Sequence, residues 1–212
     1  MLTYQKKSIT PGRRFQNLVK PKIKNRVMGF FSFNLTNKSG RNNSGQITVN
    51  HKGGRNKFKY VVKDRQRQSI YLPGFIVSFI KNSWAQPFFA LIKYANGALS
   101  YITVPLGLAV GSIVNLGIYK LSYLHSKNIG NLVSIGLLKT NDIFYSGFYK
   151  NKNYFFYAKA AGTFCKIRYK VQSEDFFILT IPSGFKKKLP IDSFVFLGRN
   201  SNIFHQKTFI SN

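Results

Sequence analysis

From Gln46 onward the apolar positions fall in short runs divided by turn residues, a pattern that predicts strands at about 46–50, 58–63, 74–81, 87–94, 98–104 and 111–116. Asn96-Gly97 between two apolar runs is a two-residue hairpin signal. Six short strands in so little chain indicate a closed or nearly closed small barrel. A second unit begins near Asn131. Within it Phe164 to Val171 alternates, with Cys165, Ile167, Tyr169 and Val171 on the core side and Lys166, Arg168 and Lys170 on the charged side. The apolar run Phe176 to Ile181, the turn Pro182-Ser183-Gly184, and the runs Phe185 to Leu189 and Phe194 to Leu197 continue a meander suited to an SH3-like barrel. Phe144 to Tyr157, aromatic and basic, reads as the connection between barrels. The expected fold is all-β, with a basic arm over 1–39, barrels over 40–124 and 125–202, and a short tail over 203–212.

A chain of 212 residues, 44% of them hydrophobic, can fill one large core or two small ones. Charge narrows the partner: 33 Lys and Arg against five acids give a formal +28, which repels itself unless a polyanion neutralises it. Nucleic acid or an anionic membrane is therefore expected. The arm, with Lys6, Lys7, Arg13, Arg14, Lys20, Lys22, Lys24 and Arg26, is of the kind that orders against RNA. The uncharged stretch from Tyr94 to Tyr119 is long enough to cross a bilayer. Its Gly97, Pro105, Gly107, Gly111 and Gly117 instead read as turns of a barrel, so no membrane span is expected. The rival reading keeps it as the anchor of a basic organellar protein. Cys165 allows no internal disulfide, and three scattered histidines suggest no metal cluster. No signal peptide is visible, and the richness in Phe, Tyr, Lys, Asn and Ile is that of an AT-rich organellar gene.

Gly40 to Lys59 resists explanation as fold alone. It holds four glycines, four asparagines and six basic side chains, His51 included. Glycine admits close backbone approach to an anion, Arg and Lys supply charge, and Asn supplies two-way hydrogen bonding, a combination that phosphate and sugar call for. Turn-forming and a solvated basic face are the plainer readings. Gly40-x4-Gly45 is followed by Gln46-Ile47 where a phosphate-binding loop needs Lys and then Ser or Thr, so no nucleotide site follows. No catalytic constellation appears, and the chain is expected not to be an enzyme.

Gly40-Arg41-Asn42-Asn43-x-Gly45-x-Ile47-Thr48-x-x-His51-x-Gly53-Gly54-x-x-Lys57-x-x-Tyr60 resembles the signature of the universal large-subunit ribosomal protein two family. Thr10-Pro11-Gly12-Arg13-Arg14, Ala90-Leu91-Ile92-x-Tyr94-x-x-Gly97, Tyr101-Ile102-x-x-Pro105-x-Gly107-Leu108, Ala158-Lys159-Ala160-Ala161-Gly162-Thr163 and Pro182-Ser183-Gly184 follow in the family's order, so the resemblance covers about residues 8 to 202. It implies an OB-fold barrel followed by an SH3-like barrel. It also implies a structural role in the large ribosomal subunit, mitochondrial by composition, with plastid or bacterial origin as the alternative. Binding to rRNA near the peptidyl-transferase region and support of subunit association are implied as well.

The residues assigned to RNA follow from both arguments. Arg41, Lys52, Arg55, Lys57 and Lys59 would take phosphates, Asn42, Asn43 and Thr48 sugar or base edges, and Gly53 and Gly54 close approach. His51 either stacks on a base or is a hydrogen-bonded loop histidine. Arg13, Arg14, Lys166 and Arg168 add cations from the arm and the second barrel. Lys159 stands where the family usually has an RNA-contacting arginine, keeping the charge without the planar fork. Where the family uses another arginine this chain has Trp84-Ala85-Gln86; Lys81 is the nearest cation, and Trp84 is read as core in preference to a stacking partner. No cofactor is expected beyond Mg2+ carried by rRNA. Neighbouring ribosomal proteins are expected partners. The family's basic C-terminal extension has no counterpart after Asn200, so a separate chain supplying it is expected, with loss of the extension as the alternative.

Overall fold

The computed structural model describes residues 3–5, 7–14, 16–19, 23, 27–53, 58–64, 72–82, 85–115, 128–149, 154–171 and 175–211. It is all-β: antiparallel strands joined by turns and short 3-10 segments, with no α-helix among the described residues.

In the first barrel Pro73–Lys81, Phe88–Tyr94 and Leu99–Thr103 run as a meander, and Ile113–Asn115 returns beside Pro73 to Phe75. That return makes a Greek key. The hairpin at Asn96-Gly97 forms, but with a three-residue loop in place of the expected two: Tyr94 N–H donates to the Ala98 carbonyl at 2.9 Å around Ala95-Asn96-Gly97, with Gly97 at φ +82°, a backbone angle glycine tolerates best. Phe88–Tyr94 is buried on both faces. Ala90, Ile92 and Tyr94 face the main core, while Phe89 and Leu91 join Tyr101, Ile80 and Val61 in a smaller cluster.

The hairpin of Ser32–Leu35 and Phe58–Val61 belongs to this smaller cluster. Phe31 meets Tyr101 edge-on at 5.6 Å, and Asp64 N–H donates to the Tyr101 carbonyl at 2.8 Å. The expected arm over 1–39 is thus corrected: its last part is barrel, because the second apolar face of the sheet needs a cover. Thr3–Gln5, Gln16–Val19 and Phe209–Ser211 form a further small sheet. The expected strand at 46–50 does not form. Ile47 has an isolated bridge to Arg41 and is 63% exposed, since among the described residues no neighbouring strand extends the pairing.

The second barrel is a seven-stranded antiparallel sheet in the spatial order Lys186–Pro190, Phe176–Thr180, Cys165–Val171, Ile143–Phe148, Phe194–Leu197, Leu132–Ser134, with Tyr154–Phe155 beside Ile143–Phe148. This corrects the reading of 144–157 as a connection. Ile143–Phe148 is a central strand, pairing with three others, and Phe144, Tyr145 and Phe148 are buried. Gly147 is required there: a Cβ would overlap the Phe194 carbonyl and the Phe155 ring. The alternation read from Phe164 to Val171 holds at Cys165 and Ile167 and then fails. The register shifts between Ile167 and Tyr169, so Arg168 is the extra residue of a bulge and Tyr169 turns outward, 48% exposed.

One apolar cluster runs from Ile76 and Val104 through Phe144, Ile167 and Leu197, spanning both barrels. Polar clasps reinforce it. Leu106 N–H donates to the Arg199 carbonyl at 2.6 Å, Ser201 N–H to the Val104 carbonyl at 3.1 Å, and the Tyr145 hydroxyl to the Thr103 carbonyl at 3.3 Å. Pro105 packs where Cβ atoms on Gly130 and Gly198 would intrude, which accounts for the Pro105-x-Gly107-Leu108 and Gly198 motifs as parts of a joint. The described part of the uncharged stretch, Tyr94 to Asn115, is strand and turn, and no described helix is long and apolar enough to cross a membrane.

Cys165 is fully buried, and desolvation pushes its thiol up from 9.0 to about 12. The raised value favours the neutral form in the folded state. Its contribution to stability is full below pH 9 and is lost as pH climbs toward 12. A thiol-alkylating reagent at pH 8 is therefore expected to label Cys165 only at the rate of unfolding; labelling as fast as in denaturant would contradict this burial.

Candidate nucleic-acid interface

Residues 38–49 fold on themselves. Gly40, at φ +80°, offers its carbonyl to Thr48 N–H at 2.9 Å, Val49 N–H at 3.2 Å and the Thr48 hydroxyl at 3.1 Å. A Cβ on Gly40 would lie 2.8 Å from the Val49 carbonyl oxygen, so the close approach needs glycine. The Asn42 side-chain oxygen accepts from Gln46 N–H at 2.9 Å and the Ser44 hydroxyl at 2.7 Å. Lys38 Nζ donates to Asn43 Oδ1 at 2.6 Å, and the Arg41 guanidinium reaches the Gly45 carbonyl at 3.3 Å. Asn42 and Thr48 thus spend hydrogen-bonding capacity on the loop itself. Arg41, His51, Lys52 and Gly53 stand exposed on its surface. Gly54, Arg55 and Lys57, like Trp84, lie outside the described residues.

A groove of about 480 Å³ opens between the barrels. Tyr60, Val61 and Lys63 line it from the strand Phe58–Val61 and its exit, Asn82, Ala85, Gln86 and Phe89 from the connection between Pro73–Lys81 and Phe88–Tyr94 and the start of the latter, and Phe156, Lys159 and Ala160 from the second barrel. Two positions singled out separately in the sequence, Lys159 and the Ala85-Gln86 segment, therefore meet on one groove. Lys63 Nζ sits 4.7 Å from the Phe156 ring centroid and 5.8 Å from that of Phe89. The groove offers ammonium groups, an amide and aromatic faces together, which can hold a phosphate and a base edge. Lys63 and Phe156 are not among the residues the sequence assigns to RNA, and Gln86 is noted there only as standing in place of an arginine. They come from three distant segments, and only the run of aromatics around Phe156 signalled one of them.

The groove's rim is fixed by polar bonds. Asn200 Nδ2 donates to the Ala158 and Ala160 carbonyls at 3.0 and 3.1 Å, and Arg199 Nε donates to the Gly162 carbonyl while its guanidinium covers the Phe164 ring. Asn202 Nδ2 donates to the Gln86 carbonyl at 2.7 Å. The Arg199-Asn200 pair thereby clamps the Ala158 to Thr163 loop that carries Lys159. Among the other assigned residues, Lys81 precedes Asn82 on the groove wall and Lys59 is exposed beside Tyr60. Arg13 and Arg14 are exposed at the 3-10 turn Pro11–Arg13. Lys166 and Arg168 lie on the second barrel's outer sheet face, separate from the groove's lining residues.

The family described as Ribosomal Proteins L2, RNA binding N-terminal domain, matches residues 31–116. The large ribosomal subunit protein uL2m of Paramecium tetraurelia is 28% identical over 216 residues, covering 95% of this chain and 81% of that protein. The large ribosomal subunit protein uL2 of Afipia carboxidovorans is 33% identical over 171 residues, 81% of this chain; the match spans 59% of the Afipia protein's length. That of Amoebophilus asiaticus is 28% identical over 93% of this chain and 70% of its own. The matched segment begins at Phe31, where the barrel begins in the structure. With its Greek-key barrel, its second barrel and its basic surface loop, the chain belongs to the uL2 family of RNA-binding structural proteins of the large ribosomal subunit.

Proposed function

We propose that this protein braces folded rRNA in a mitochondrial large ribosomal subunit, beside the peptidyl-transferase region, and supports subunit association. The groove carries the reading: Lys63 and Lys159 line it from two barrels together with the Phe89 and Phe156 rings and Gln86. Cations from separate elements aimed at one aromatic-walled cleft suit a phosphate backbone with a base tucked beneath it. The mitochondrial assignment is supported by the uL2m relative and by the composition. Arg41, Lys52 and Lys59, with Arg55 and Lys57, are the proposed phosphate contacts, and Asn43 and His51 the proposed sugar or base contacts.

The test is binding of the full chain to large-subunit rRNA by co-sedimentation. Wild type is expected in the rRNA fraction, and Lys63→Ala with Lys159→Ala should weaken binding about tenfold or more, the loss for charged hydrogen bonds at a partly desolvated site. Lys159→Arg should restore or exceed wild-type affinity in the Lys63-intact chain. Failure of the wild type to co-sediment would overturn the proposal.

A further inference from the structure

The bulge at Arg168 does more than disturb an alternation: it rebuilds the outer face of three strands. After it, Tyr169 lies opposite Ile178, which lies opposite Lys188, and Val171 lies opposite Phe176, which lies opposite Pro190. Before it, Lys166 lies opposite Thr180, which lies opposite Lys186. Arg168 Nε donates to Thr180 Oγ1 at 2.8 Å, so its guanidinium is held over the same face. Lys188 Nζ stands 6.0 Å from the Phe176 ring centroid. The result is an exposed platform with Tyr169 and Phe176 among four cations. The three strands Cys165–Val171, Phe176–Thr180 and Lys186–Pro190 contain no acidic residue.

We propose that this face is a second RNA-binding platform, on which an unpaired base stacks against Tyr169 while Lys166, Arg168, Lys186 and Lys188 hold its flanking phosphates. It rests on the reading of the chain as an rRNA-binding protein and names a contact separate from the groove. Lysines on Lys186–Pro190 have another use, since that strand is the sheet's edge and charge there deters strand pairing with other chains. That use does not reach Lys166 and Arg168, which lie two strands in from the edge. Nor does burial explain Tyr169, whose ring the bulge turns out of the core. A half-exposed ring on a sheet with cations on both sides fits a base and its phosphates, since every base has a face to stack while the sheet spaces the charges along the strand. An acidic protein would use the cations and leave the ring without a role.

The experiment uses the full chain and a photoreactive single-stranded RNA of about a dozen uridines, a length within the usual single-strand site size. Crosslinks are expected to map to the Cys165–Val171 peptide. Tyr169→Ala should reduce affinity about tenfold and remove that crosslink, while Tyr169→Phe, which keeps the stacking ring, should retain both. Lys186→Ala with Lys188→Ala should flatten the salt dependence, which Tyr169→Ala should leave unchanged. Tyr169 is half-exposed, so its truncation should spare the fold, checked by circular dichroism. Wild-type binding by Tyr169→Ala with crosslinks confined to the loop and groove would overturn the platform and leave the rRNA reading standing. Failure of the wild type to bind any RNA would remove both. Crosslinks in purified large subunits that join this face to an acidic protein would also overturn it.

Discussion

Affinity of the full chain for large-subunit rRNA will fall by about a thousand-fold between about 50 and 200 mM monovalent salt. The protein carries 33 Lys and Arg against five acids, and its assigned cations are spread over the loop, the groove and the second barrel rather than gathered in one pocket. Each phosphate neutralised steepens the log–log salt slope by about 0.7 to 0.9, so six to eight contacts give roughly that loss. Arg41→Ala with Lys52→Ala should flatten the slope by about one to two units, because both side chains stand exposed on the folded loop. Filter binding at four salt concentrations measures it. An unchanged slope in a folded variant would show that the loop does not touch phosphate.

Phe144→Ala is the second large effect, and it acts on stability. The ring is fully buried in the central strand Ile143–Phe148, within the cluster shared by both barrels. Emptying that site costs about 3–5 kcal/mol, which for a chain of this length lowers Tm by about 6–20 °C. Because the core is continuous from Ile76 to Leu197, one cooperative transition is expected rather than two. Calorimetry in high salt, where the +28 charge is screened, decides it. Two transitions with only one displaced would show the barrels unfolding independently.

How much of this could be read in the sequence depended on whether a strand has a wet face. Leu99–Thr103 and Phe176–Thr180 were legible from short apolar runs bounded by Gly, Pro and Asn. Ile143–Phe148 was not, since a strand buried on both faces loses the period of two and its aromatics passed for a linker. Ser32–Leu35 was hidden inside a basic segment because its reason for existing is non-local: it pairs with Phe58–Val61 and covers Tyr101. The bulge at Arg168 leaves no mark in composition, so Tyr169 was placed on the wrong face. The basic loop was legible as a surface, but not the division of labour inside it, where Gly40 and Asn42 build the loop and Arg41 and Lys52 are displayed. The groove could not be read at all as a unit, because Lys63, Gln86 and Phe156 become neighbours only when both barrels close.

The clasp between the barrels has a consequence for synthesis. Phe88 N–H is bonded to the hydroxyl of Ser201, 113 residues later, at 2.9 Å, and Val104 meets the backbone of the same serine. At a ribosomal rate of about 5–20 residues per second, the first barrel's joint must wait roughly 6 to 20 s for its partner to be made. During that interval Ile76, Ile102 and Val104, which the finished core covers, lack the second barrel's side of their packing. The nascent chain is thus a sticky, highly cationic half-protein for many seconds, and prompt capture by a chaperone or by newly transcribed rRNA would protect it until Ser201 closes the joint.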